Sequence, residues 1–274
     1  MKLQKLFIGL IMFVVSHSFY AQTLVYGLGS TETKAEVTFN DGHTEEGVVS
    51  GFIQRRYMYV DVEYPFKTLE RELNLDDKVF TFETSFEGKR KIKSSEVRIV
   101  EEIYEDGYSL FKRLTIKTVN SKGKIIDLKK QVWLPYLIED RVNILGFSVF
   151  GDNGTYLGTY IYLNREGEDF AINPIDFNRL NLFNIGKTDD KMKIALKETF
   201  ADCEATLSYI DEMFAKKGKK RNKRVTLAKE DLDSIKKRKL KGKEKAYEIG
   251  KLYEKFMIDF YRNIVDHYNE HCPE

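Results

Sequence analysis

Six Gly-containing turn dipeptides punctuate the first two thirds of this chain: Asp41-Gly42, Glu87-Gly88, Asp106-Gly107, Lys122-Gly123, Asn153-Gly154 and Glu166-Gly167. Each Gly accepts φ > 0 without steric cost, so such a pair reverses the backbone between extended segments. The sharpest case is the stretch EVTFNDGHTEEGVVSGFI, residues 36–53. Val37 and Phe39 alternate with polar residues up to the Asp41-Gly42 turn, which predicts a hairpin with Val37, Phe39, Val48 and Phe52 in a β core. A chain turned back this often folds into antiparallel strands before it folds into anything else.

The segments between the turns have strand composition. They include Tyr57 to Tyr64, Lys78 to Thr84, and a run from Lys91 to Ile103 broken at Ser94-Ser95. Tyr108 to Val119 and Gln131 to Ile138 follow, the latter holding the single Trp133. Val142 to Phe150 and Tyr156 to Leu163 form a second hairpin. Near Gly186 the apolar period changes from two to about 3.6. Met192, Leu196, Phe200, Cys203, Leu207, Ile210 and Phe214 make one stripe, which predicts a single long helix. A short helix around Leu232 and Ile235 and a last helix from about Lys243 to His271 complete the series. The fold class expected is α+β: an antiparallel multi-stranded β region at 22–176, then a helical region at 187–272 built on a pair of long amphipathic helices.

The N-terminus reads as an export signal. Lys2 and Lys5 precede ten apolar residues, Leu6 to Val15, too few to span a bilayer as a helix. Cleavage is expected after Ala21, or after Ser18. Export leads to an oxidising compartment, where Cys203 and Cys272 are an even count. Cys203 lies on the helical stripe, so it is either a buried thiol or one end of a Cys203–Cys272 bridge.

Charge is uneven along the chain. Residues 216–245 hold 15 Lys/Arg against 4 Asp/Glu, whereas the whole chain carries only +2. Lys216, Lys217, Lys219, Lys220, Arg221, Lys223 and Arg224 are the candidate polyanion-binding residues, through counterion release. The interleaved aromatics of a single-strand binder are missing, and a solvated linker accounts for the same run.

Catalytic motifs are not evident. Gly146-Phe-Ser148-Val-Phe-Gly151 has one residue too many for a nucleophile elbow, and Ser148 reads as a strand serine. His267 and His271, four apart on the last helix, could hold a metal with the cysteines, but a frayed, solvated helix end is the favoured reading. No cofactor motif is present. The strand tyrosines, among them Tyr57, Tyr59, Tyr156, Tyr160 and Tyr162, read as core or cross-strand partners before they read as a sugar or peptide platform.

Ala21-Gln22, Asn40-Asp41-Gly42 with Gly47, the Lys91 to Val97 segment and Phe200-Ala-Asp-Cys203 together give a loose likeness over most of the chain. The chain resembles uncharacterised exported proteins of Bacteroidetes-type Gram-negative bacteria. That resemblance implies a periplasmic or cell-surface location, no established activity and no catalytic residue. The functional expectation is a non-enzymatic binding or scaffolding protein of the envelope, with an envelope protein or glycan as partner. A polyanion-binding module acting on an anionic surface through 216–245 is second. A hydrolase with a carboxylate site is third.

Overall fold

The computed structural model describes residues 21–26, 32–52, 57–60, 75–105, 107–151, 156–175, 188–215 and 229–272. The expected signal segment, the 216–224 cluster and the Asn153-Gly154 turn lie outside them. Twelve strands form one sheet. They are β1 (Ala21–Tyr26), β2 (Glu32–Phe39), β3 (Thr44–Ser50), β4 (Tyr57–Val60), β5 (Val79–Thr84), β6 (Gly88–Lys93), β7 (Val97–Tyr104), β8 (Gly107–Val119), β9 (Ile125–Ile138), β10 (Val142–Gly151), β11 (Tyr156–Arg165) and β12 (Phe170–Asn173). Four α-helices follow among the described residues: α1 (Thr188–Thr199), α2 (Glu204–Ala215), α3 (Lys229–Lys237) and α4 (Gly242–His271).

The sheet is α+β in context but not simply antiparallel. β8 pairs with β9, β9 with β10, β10 with β11, β11 with β12, and β12 returns to β8, so five strands close a ring. The closing pair, β12 with β8, is parallel. Its strand is only four residues long, too short for an alternation signal. From the ring, β7, β2, β3, β5 and β6 extend in an antiparallel row on one side, and β1 and β4 on the other.

Long strands allow this branching because each edge serves two partners. β7 pairs with Gly107 to Lys112 of β8, and β12 with Thr115 to Thr118. β9 occupies the opposite edge, so β7 and β12 share one edge and part company at Arg113 and Leu114.

β10 and β11 are buried on both faces, which explains their nearly continuous apolar runs. Leu145, Phe147, Val149, Tyr160 and Tyr162 face the inner core, while Val142, Ile144, Ile161 and Leu163 face the helices. The two strands approach closely at Gly146: a Cβ there would lie 1.8 Å from the Tyr160 carbonyl oxygen. Ser148 is buried in β10 and shares a 2.7 Å hydrogen bond with Thr159.

The hairpin core differs from expectation at one strand. Val37 and Phe52 are fully buried, but Val49 is buried where Val48 was expected, and Phe39 is half-buried. The register explains it. Ala35 faces Gly47 and Thr33 faces Val49, so Val49 shares the Val37 side and Val48 the other. Gly47 is needed there, because a Cβ would come within 2.4 Å of the Glu83 carbonyl oxygen. Beneath the hairpin, Phe52, Phe80, Phe111 and Trp133 pack edge to face. The polar step at Ser94-Ser95 is a single 3₁₀ turn, Ser94–Glu96, and the buried Ser94 hydroxyl accepts the Trp133 indole N–H at 3.2 Å.

The expected first long helix is instead two helices. The apolar stripe runs on unbroken through Leu196, Phe200, Cys203 and Ile210, all buried. The backbone turns between Thr199 and Glu204, where the Thr199 hydroxyl bonds back to the Ala195 carbonyl at 3.0 Å. Periodicity registers the stripe and not the bend. α4 packs on β10 and β11, and α1 lies against β8, β11 and β12.

Candidate functional site

The divergence of β7 and β12 from β8 leaves an open groove of about 740 Å³, within the usual range for a ligand cleft. Its composition is sorted by wall. Arg98 of β7 with Lys112 and Arg113 of β8 supply the cations. Two turns supply the carboxylates: Glu139 and Asp140 between β9 and β10, and Glu166, Glu168 and Asp169 between β11 and β12. Among the described residues no ion pair joins these cations to these carboxylates.

Two buried amides support the groove: Asn143 lines it, and Asn164 is bonded to Asn143 and Lys112. Asn164 has no exposed surface and Asn143 only 4%. The Lys112 ammonium donates to Asn164 Oδ1 at 2.8 Å, and Asn143 Nδ2 donates to the same oxygen at 3.3 Å. Asn164 Nδ2 donates to the carbonyls of Glu168 at 3.1 Å and Phe170 at 2.7 Å. Asn143 Oδ1 in turn accepts the Asp140 N–H at 3.1 Å. One network therefore ties a cation on β8 to both acidic turns. Buried polar groups carry a desolvation cost unless fully bonded, so this network is held in one arrangement.

The electrostatics follow from partial burial. Desolvation lowers the Lys112 pKa and the nearby Arg98 adds to the effect, while Glu166 and Glu168 oppose it. Desolvation also lowers that of Arg113, whose Nε is buried with no hydrogen-bond partner. Burial raises the Glu168 carboxyl, and it pushes the Tyr136 phenol on the groove wall up to about 12. A charged ligand entering here meets groups that have already lost much of their water. A second, smaller recess of about 360 Å³ shares Tyr136 and Glu139 with the groove and reaches Lys251 and Glu254 on α4.

The residues singled out from sequence lie elsewhere. Cys203 and Cys272 form a disulfide with a Cα–Cα distance of 5.7 Å, joining the start of α2 to the end of α4. The cysteines are therefore not metal ligands. His267 Nδ1 is 3.1 Å from the Thr206 hydroxyl, and His271 Nδ1 donates to the His267 carbonyl at 2.9 Å. The two rings stack 4.1 Å apart. Among the described residues no group of three or more His, Cys, Asp or Glu could hold a metal ion. Lys216, Lys217, Lys219, Lys220, Arg221, Lys223 and Arg224 lie outside the described residues. Tyr160 and Tyr162 are core, and Tyr156 stacks on Tyr253 of α4 at 5.9 Å.

None of the groove residues stands out in the sequence as a candidate site residue: Glu166-Gly167 reads as a turn, and Asn40, Ser95 and Val97 belong to the loose family likeness. The one available signal is Lys112-Arg113, a charged pair between Phe111 and Leu114 inside an otherwise strand-like run. No protein-family model, curated protein or solved structure matches this chain.

Proposed function

We propose that this chain is an exported, non-enzymatic binding protein of the bacterial envelope, and that its ligand occupies the groove between β7, β8 and the two acidic turns. One observation carries the reading: three cations and five carboxylates share one cleft, and among the described residues no ion pair joins them. Surface charges that close on one another are common and contribute little. Apart from Asp140, whose carboxylate accepts from Asn269, these charges remain available to something else. The export signal at residues 1–21 and the disulfide are consistent with an oxidising compartment.

Native mass spectrometry of the protein recovered from the envelope tests this reading. The expected result is a mature mass short of the full chain by roughly 18–21 residues, with a small-molecule adduct that an Arg98→Glu/Lys112→Glu variant has lost. A mass retaining Met1, or identical adducts on both proteins, would refute it.

A further inference from the structure

We infer that the groove takes a basic zwitterion: a ligand with one carboxylate and more than one ammonium group. This is the chemistry of a free diamino acid or of the C-terminal end of a short basic peptide. The inference rests on the groove being the binding site and adds what the ligand must look like.

The sorting of charge is the first argument. Arg98, Lys112 and Arg113 come from the neighbouring strands β7 and β8 and the carboxylates from the two turns, with Glu166 and Glu168 near enough to Lys112 to act on its charge. A simple anion would satisfy the wall and leave five carboxylates facing it. A simple cation would satisfy the lip and meet Arg98, Lys112 and Arg113. Only a ligand bearing both signs, separated along its length, pairs with both walls at once. Among the lining residues carboxylates outnumber cations five to three, with Lys117 and Arg165 beyond the lining acting on Glu168 alone, so ammonium groups outnumber carboxylates in the complementary ligand.

The second argument is the amide network. Asn164 and Asn143 are buried amides whose bonds fix the Lys112 ammonium and both acidic turns in one frame. The Lys112 ammonium keeps two further N–H donors beyond its bond to Asn164. Arg98 is exposed and free of any described partner, so its planar guanidinium can meet a carboxylate with two parallel bonds. Such bonds to a partly desolvated anion are stronger than to one in water. Glu168, tied by its backbone to Asn164 and itself partly desolvated, is the matching acceptor for an ammonium.

Calorimetric titration of the full mature chain with four probes tests this: L-lysine, glycyl-glycyl-lysine, lysinamide and glutarate. The expected result is binding of L-lysine or the tripeptide, with lysinamide weaker than L-lysine by at least ~10-fold because it lacks the carboxylate. Arg98→Gln, at an exposed position that leaves the fold intact, should abolish that difference by weakening L-lysine alone. Glu168→Gln should weaken L-lysine about 10-fold, and all these affinities should fall with added salt. L-lysine tighter than the tripeptide identifies a free diamino acid; the reverse order identifies a peptide end. Equal binding of L-lysine and lysinamide overturns the inference, as does glutarate binding as tightly as L-lysine; in both cases the groove remains a binding site of another class. Silence of all four probes, with no native adduct, overturns the inference and the binding reading together.

Discussion

Glu102 of β7 is fully buried on the core side of the sheet, opposite Ala35 and Ser109. One carboxyl oxygen, Oε2, accepts the Tyr104 hydroxyl at 2.5 Å, while Oε1 has no partner. Burial pushes its pKa up to about 7, with the Tyr104 bond opposing. In the unfolded chain the group titrates near 4.5, so between these values the folded state holds a proton that the unfolded state has lost. Stability contributed by the neutral acid is complete below pH 4.5 and lost as pH rises through about 7. The cost above that point is about 2 to 4 kcal/mol. Glu102→Gln keeps the neutral shape without the titration. Denaturant unfolding at pH 8 should find the variant more stable by that amount, and the two proteins should converge near pH 4.5. A difference independent of pH would show that Glu102 is not the titrating group.

At the scale of elements, the disulfide joins the start of α2 to Cys272, the residue directly after α4, across 69 positions. The end of α4 makes three further attachments. Arg141 Nη1 donates to the Cys272 carbonyl at 2.9 Å, Asn269 Nδ2 to Asp140 Oδ1 at 2.8 Å, and the Tyr268 hydroxyl to Asp202 Oδ2 at 2.9 Å. Asp140 is also part of the groove's acidic lip, so the α4 terminus braces one wall of the candidate site. Removing the bridge with Cys203→Ser/Cys272→Ser should cost roughly 2–5 kcal/mol, from the loop entropy returned to the unfolded chain. Hydrogen exchange should rise first in residues 268–272 and then in the 139–141 turn. Unchanged exchange at the turn would show that the brace does not depend on the bridge.

Across the whole molecule, the basic run at 216–224 separates α2 from α3 and α4, yet the Cys203–Cys272 bridge spans it. Seven of its nine residues are Lys or Arg, and it has no apolar side chain to offset the entropy of ordering. Limited trypsin treatment should cut here first. The products should migrate as one species without reductant and as two with it, while still binding the groove ligand. Cleavage elsewhere first would indicate that the run is held by a partner surface, the outcome that favours a polyanion-binding module.

Local rules reached the parts of this protein that local physics decides. Gly after Asp at 41–42 sets a positive φ of 94° and turns the first hairpin. The helical stripe through Leu196, Phe200, Cys203 and Ile210 marks the face that is buried, whatever the backbone does between. Composition alone marks the basic run. Other features depend on groups brought together from distant segments. Whether Val48 or Val49 faces inward depends on the register against β2, and a one-residue shift exchanges the faces. The parallel pairing of β12 with β8 joins residues 55 positions apart, and nothing in a four-residue strand announces its partner. Asn164 looks like any turn-proximal asparagine until Lys112, 52 residues earlier, arrives beside it. The sequence by itself determined the Asp41-Gly42 turn, the buried stripe of the helices and the order of a β region before a helical one, because those follow from backbone sterics and apolar spacing within a few residues. Only the tertiary structure decided the closed ring, the groove and its sorted charges, because each arises where one long strand divides an edge between two partners.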